Sequence, residues 1–390
     1  MNKIFITDGD NKVTLLIARQ LARKGIIVDV GASHKKSIAF YSKYVNKKII
    51  YPNYLTETEK FKKNIIKIIK KNDYDLIIPL KEPVIKILYD IQDKIPKNTK
   101  LALPDQKIWM KTFDKLETIK QAEKCNVKTP RTIYETDINK IKKTTKNWNY
   151  PLVIKSRYSW NFTKKGPKYA YREYAYDEKD LETKFKKYSK INGIPLIQEY
   201  IKGVGKGMFY LVNKKQIIAK FAHQRIREEP PDGGASVCRK SVKINEKLDK
   251  DSVKLLKQID WYGPAMVEFR CDEKENYLLE INGRFWGSLP LAVFSGVNFP
   301  YLYYQILTNQ KIKPVLTYKE EVKARDLYGD LLFLYKVFFK RKEKYPPRLK
   351  SFLNVITTIA YEDVFDLKDL KPFIAQFTIL IMHKIVKKLQ

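Results

Sequence analysis

Residues 277–288 read YLLEINGRFWGS. After a short apolar run, Glu280, Asn282 and Arg284 fall at alternate positions. On an extended strand alternate side chains share a face, so an acid, an amide and a guanidinium stand in a row. The preceding run PAMVEFR (264–270) also reads as a strand and carries Glu268, and CDEKEN (271–276) between them has turn composition. Antiparallel pairing across that turn brings Glu268 and Glu280 within reach of one ion. Two carboxylates and an amide oxygen are hard ligands that suit Mg²⁺, which keeps waters and takes further ligands from phosphates. Arg284 adds a planar fork for a phosphate or carboxylate. The competing reading is a plain hairpin with its polar residues turned to water.

Working outward, Lys155 ends the apolar strand PLVIKS (151–156), and Lys115 opens a helix after FD (113–114). Two lysines flanking a nucleotide's phosphates would offset their charge. LIQEYIKGVGKG (196–207) is a strand followed by three alternating glycines. Glu199, Tyr200 and Ile201 could offer backbone groups to an adenine edge, and Gly205 permits a close approach or bend. An ordinary glycine hairpin explains that stretch equally. In FAHQRIREEPPDGGASV (221–237), His223, Arg225 and Arg227 alternate on a strand beside a turn-rich loop. That points to an anionic substrate under a closing loop, against the alternative of a surface hairpin.

The 390 residues suffice for two or three domains with a real core. Lys and Arg number 77 against 43 Asp and Glu, a formal net charge of +34. The lysines are spread along nearly the whole chain rather than gathered into one patch, which disfavours a nucleic-acid partner. Three scattered cysteines and three scattered histidines exclude a disulfide framework, a zinc knuckle and a histidine-based metal site. No apolar leader opens MNKIFITDGD, and no apolar run reaches the roughly 18 residues of a spanning helix, so a cytoplasmic protein is expected.

Along the chain, KIFITDGD, IIVDVGAS and DYDLIIPL are strands alternating with helices, which predicts a parallel α/β unit over 1–105. It lacks GxGxxG, so no dinucleotide site is expected. TDGD (7–10) reads as a turn or a ligand contact at a strand end. Short strands with interspersed helices then predict an α+β block, and a basic helical tail follows over 316–390. The run 371–390 reads as a buried helix or one lying on a membrane surface.

These pieces in this order resemble the ATP-grasp superfamily, nearest to carbamoyl-phosphate synthase large-subunit-like and biotin-carboxylase-like members, over residues 1–315. The spacing E…E-x-N-x-R reproduces that family's metal motif at Glu268, Glu280, Asn282 and Arg284, and HQRIREEP (223–230) resembles the HQK-apolar-x-EE stretch of biotin carboxylases. The resemblance implies a pre-ATP-grasp Rossmann-like domain (1–105), a small ATP-grasp subdomain with a linker helix (106–195), a large subdomain with the metal site (196–315) and the basic helical extension (316–390). It implies ATP with one or two Mg²⁺, or Mn²⁺, and Lys115 and Lys155 on the phosphates. Gln198, Glu199, Tyr200 and Ile201 would form the adenine hinge, with Gly205 beside it. Arg284, Arg225 and His223 would act at the reacting groups. The implied reaction joins a small-molecule carboxylate to an amine or thiol through an acyl phosphate. The alternative is a catalytically inactive ATP-binding protein or one associated with a membrane surface, and both a homodimer and peripheral contact of the tail with the inner membrane face accompany the reading. The chain departs from biotin carboxylases at Ser288, where they carry a glutamate, and at Lys206, where an acid often holds the ribose. It has one module, where carbamoyl-phosphate synthase has two.

Overall fold

The computed structural model describes residues 3–163, 166–231, 233–340 and 345–378. Its first unit is a five-stranded parallel sheet of β1 (Lys3–Ile6), β2 (Ile27–Ala32), β3 (Lys48–Ile50), β4 (Leu76–Ile78) and β5 (Lys100–Leu101), in the order β3-β2-β1-β4-β5. A parallel sheet must be covered on both faces. The interleaved helices α1 (Lys12–Ala22), α2 (Thr58–Asn72) and α3 (Glu82–Asp90) do this. α1 begins where the Asn11 side chain accepts the Val13 N–H at 2.9 Å, an N-cap that satisfies one of the orphan donors. TDGD is a turn. The Asp8 carboxylate is buried and accepts the Thr7 hydroxyl and the Lys81 N–H. The strand order reverses between β1 and β4, the place where open α/β sheets hold their ligands, and the helices that follow these strands begin with Lys12 and Glu82.

Two short helices, α4 (Gln106–Phe113) and α5 (Lys115–Lys124), lead into a second unit. It comprises β6 (Thr132–Tyr134), α6 (Ile138–Thr145), β7 (Leu152–Ser156), a ribbon of β8 (Trp160–Thr163) and β9 (Gly166–Tyr169), β10 (Glu173–Ala175), α7 (Glu178–Asn192) and β11 (Pro195–Glu199). Its antiparallel sheet runs β10-β7-β11-β6. One face packs on α6 and α7 through Ile141, Leu152, Ile154, Leu181 and Phe185.

The third unit follows with β12 (Val204–Asn213), β13 (Gln216–Glu229), β14 (Ala235–Ser241), α8 (Glu246–Gln258), β15 (Gly263–Cys271), β16 (Asn276–Asn282), α9 (Leu289–Phe294), α10 (Phe299–Leu307), β17 (Lys323–Arg325), α11 (Leu327–Phe339), α12 (Arg348–Thr357) and β18 (Tyr361–Glu362). The sheet order is β16-β15-β12-β13-β14-β17-β18. β12 shows how one strand builds two cores. Phe209 and Leu211 pack with Trp286, Leu289 and the α1 side, while Met208, Tyr210 and Val212 pack with Leu248, Leu255 and Trp109. Period-two alternation of apolar residues on both faces marks a sheet buried on both sides.

The C-terminal stretch is helical, as its sequence predicts, and it also adds the last two strands to this sheet. Acids fix it to the body. Asp330 accepts two bonds from Arg227, at 2.8 and 2.9 Å, and one from Arg325. Asp369 takes Arg19 at 2.9 Å, and Asp363 takes Lys12 at 2.7 Å and Arg239. Asp330 and Asp363 are fully buried. Such pairs add little net stability, but removing one partner strands the other charge in the interior. Residues 379–390 of the apolar run 371–390, and 341–344 of the basic cluster after α11, lie outside the described residues.

Candidate active site

The three units enclose a cavity of about 1080 Å³. That is large enough for a nucleotide and a second small molecule. Glu268 and Glu280 face each other across the β15–β16 pair, and Met266 faces Asn282 one step further on. The register shifts immediately after Glu268, where Phe269 pairs with Leu278 and leaves Leu279 as an extra residue. This bulge sends Phe269 and Leu278 into the core while Glu268 and Glu280 open onto the cavity. Gly283 has to be glycine, since a Cβ there would lie 2.4 Å from the Trp261 ring and 2.5 Å from Thr112 Oγ1.

Burial raises the pKa of Glu268, and the nearby Glu280 charge adds to that against the pull of Arg225. Burial works in the same direction on Glu280. There the Lys115 charge, the Asn282 hydrogen bond at 3.0 Å, Lys155 and Arg284 prevail and lower it. Two acids facing one space with opposed shifts form a site that gains from a divalent cation. Among the described residues no group of three or more His, Cys, Asp or Glu forms a self-sufficient cage. Two carboxylates and an amide fit an ion that shares its shell with phosphates and water.

Lys115 is the first residue of α5. Asp114 caps that helix and is gripped by Arg157, and the Lys115 N–H donates to the Arg157 carbonyl at 3.0 Å. Its ammonium donates to Ser159 Oγ at 2.7 Å. Lys155, on β7, has its pKa lowered to about 8, first by burial and then by Lys115. Two lysines this close repel each other until an anion joins them. Arg284 donates to Asn282 Oδ1 at 3.3 Å and pairs with Glu82 at 3.1 Å.

Gln198, Glu199, Tyr200 and Ile201 also line the cavity. The Glu199 carboxylate is held by Arg131 through two bonds of 3.1 Å, and Gln198 donates to Thr132 at 2.8 Å. His223 and Arg225 line the cavity on β13. Arg225 bonds Glu228 at 2.9 Å and Glu268 at 2.7 Å. His223 is buried against the Phe209 ring, and burial followed by the Arg225 charge depresses its pKa well below the ordinary value. It is therefore neutral at pH 7. Gly205 is not among the residues lining this cavity. It lines a neighbouring cavity of about 360 Å³, where a Cβ would lie 2.8 Å from Arg225 Cδ. This glycine makes room for the arginine.

Several wall residues escape a reading of the sequence. Lys12 and Glu82 come from the first unit, and Trp160, Tyr169 and Arg172 come from the ribbon and its return. Gly166, the first residue of β9, lies against the first unit. At Gly166 (φ +109°) a Cβ would lie 2.2 Å from the Leu55 carbonyl oxygen. Arg172 donates to the carbonyl of Gly233 in the loop after β13. The one available signal was position. PLKEP (79–83) follows a buried parallel strand, and loops at that end of a sheet carry function.

Residues 197–328 match a family model described as ATP-grasp in the biosynthetic pathway with Ter operon. No curated protein sequence matches the chain. The fold is that of the ATP-grasp proteins. A biotin carboxylase from Campylobacter jejuni, solved with β,γ-ATP, is similar at TM-score 0.68 and 16% identity, over 83% of this chain and 74% of that one. N5-carboxyaminoimidazole synthetase from Staphylococcus aureus is similar at TM-score 0.66 and 16% identity, over 88% and 87%. An L-amino acid ligase from Bacillus licheniformis is similar at TM-score 0.59 and 16% identity, over 80% and 78%. The resemblance to ATP-grasp proteins drawn from the 268–284 motif is thus borne out for the fold.

Proposed function

We propose that this chain is an ATP-dependent ligase that activates a carboxylate as an acyl phosphate for attack by an amine. The observation that carries this reading is the convergence of Lys115 from the connecting helix α5, Lys155 from the second unit, and Glu268, Glu280, Asn282 and Arg284 from the third on one cavity. The similar solved structures support an ATP-dependent ligase in general terms.

In this reading Gln198 to Ile201 seat the adenine, and Lys115 and Lys155 hold the phosphates. Glu268, Glu280 and Asn282 would hold Mg²⁺, which supplies charge neutralisation at the phosphate oxygens. A substrate carboxylate oxygen attacks the γ-phosphorus, the bond to the β,γ-bridging oxygen breaks, and ADP leaves. Positioning and charge carry such a transfer, with no protein nucleophile, which fits a cavity lined by cations. The amine nitrogen then attacks the acyl carbon, the carbon–oxygen bond to phosphate breaks, and inorganic phosphate leaves as the amide forms with loss of a proton. Arg284 and Arg225 stand where they could stabilise the acyl phosphate, and neutral His223 could offer or accept a hydrogen bond without adding charge.

The test is ADP release from Mg-ATP in the presence of pooled amino acids and small peptides whose carboxylates carry ¹⁸O. The reading expects stimulated ADP release and one ¹⁸O atom in the released phosphate. ADP release without label in the phosphate would remove the acyl phosphate. Nucleotide binding with no ADP formed across the panels would favour an inactive nucleotide-binding protein.

A further inference from the structure

Helices α11 and α12 are apolar on two opposite faces. On α11, Phe333 and Val337 point inward and are buried. Leu331, Tyr335 and Phe339 are offset from them by two residues, which is about 200° around a helix, and are exposed. On α12, Val355 is buried while Leu349, Leu353 and Ile356 form an outer row at helical spacing. Phe339 is 74% exposed and Leu349 is 70% exposed. Of the 24 large apolar side chains exposed among the described residues, 13 lie between 331 and 374. Isolated exposed apolar residues are ordinary, but a concentrated surface of them marks an interaction site.

Charge decides what covers this surface. The aspartates of this stretch turn toward the body, where Asp330, Asp363, Asp366 and Asp369 pair with Arg227, Arg239, Arg23 and Arg19. The exposed charges on and next to these two helices include Lys340, Arg348 and Lys350, and Lys368 and Lys371 are exposed further along the same stretch. The outer surface therefore combines apolar and cationic groups. A second copy would bring cations against cations. An anionic lipid bilayer offers what the surface lacks, headgroup charge for the lysines and a hydrocarbon margin for the outer rows.

We infer that the outer faces of α11 and α12 dock this protein on the surface of an anionic membrane. No described helix is long and apolar enough to cross a bilayer, so docking is peripheral. The docked surface is one helix away from the cavity, since Lys336 on α11 bonds Glu229, which lines it. The inference does not depend on the ligase reading.

The test is co-sedimentation of the full chain with vesicles of one part phosphatidylglycerol to three parts phosphatidylcholine. A chain of charge +34 is drawn to such vesicles at low salt whatever its shape, so the deciding condition is about 0.5 M salt, where surface attraction is screened. Wild type is expected to stay bound there. The triple variant Phe339→Ser, Leu349→Ser, Leu353→Ser should bind at least about tenfold more weakly, with an unchanged melting temperature. At about 0.15 M salt, reversing the charges on and next to these helices, Lys340→Glu with Arg348→Glu and Lys350→Glu, should weaken vesicle binding several-fold more than the same reversal at the exposed Lys63, Lys70 and Lys97 of the first unit. Complete release of wild type at high salt would overturn the inference. So would equal binding by the serine variant, or a dimer that this variant dissociates without any vesicle binding.

Discussion

The carboxylate Glu280 offers a test in which the sign of the effect, not only its size, is fixed by the structure. It faces Glu268 across the strand pair and is kept ionised by Lys115, Asn282, Lys155 and Arg284 against the effect of burial. Glu280→Gln keeps the shape and can still accept the Asn282 hydrogen bond, so the local fold should persist. What disappears is one negative charge. A unit charge about 4 Å from another is worth roughly 4 kcal/mol at an effective dielectric constant of 20. The glutamine carbonyl retains part of the ligation, so we expect a loss of about 2–3 kcal/mol in binding of the magnesium–ADP complex. That is a Kd weaker by roughly 30- to 150-fold. With ADP in EDTA the sign reverses, because the same carboxylate then repels phosphate, and the variant should bind several-fold tighter than wild type. Calorimetric titration in the two buffers measures both values. Equal weakening in both would make Glu280 a structural residue, and no change in either would remove the metal from this pair of strands.

Lys155 titrates near pH 8 because burial and Lys115 disfavour its charge. Its cation is thus present below that pH and lost above it, so magnesium–ADP affinity should fall as pH rises past about 8. That limb should be missing from the already weaker Lys155→Met when Kd is followed from pH 7 to 9.5. For stability the sign is opposite: a lysine whose folded pKa lies below its unfolded value of about 10.4 makes the empty protein more stable as pH climbs between the two. Chemical denaturation of wild type and Lys155→Met over pH 8–9.5 should show this difference. Gly166→Ala forces a Cβ toward the Leu55 carbonyl in a backbone region costing about 1–3 kcal/mol for other residues. The ribbon should then cleave faster under limited proteolysis with little change in global melting. Asp330→Ala strands Arg227 and Arg325 in the interior and should cost about 3–5 kcal/mol by urea denaturation.

Much of the candidate site was legible because its residues lie on neighbouring strands. Alternation assigns Glu280, Asn282 and Arg284 to one face, and a short turn brings Glu268 opposite. The Leu279 bulge that completes this geometry leaves no mark in the sequence. Gly205 was misplaced for a related reason. Glycine spacing announces a close approach without saying to what, and the neighbour is the Arg225 side chain. Glu199 is read from the sequence as part of the adenine hinge, and no local pattern announces that Arg131, 68 residues away, holds its carboxylate.

The sequence by itself settled the fold class, the motif of acids, amide and arginine, and a helical tail, since each rests on periodicity within a few residues. Tertiary structure alone decided that Glu82 reaches Arg284, that Arg172 ties the ribbon to the loop after β13, and that the tail's aspartates face inward while its lysines and apolar rows face out. Those outcomes depend on which surfaces meet once distant units pack, and the pairing of groups up to 351 residues apart is set by that packing rather than by any local repeat.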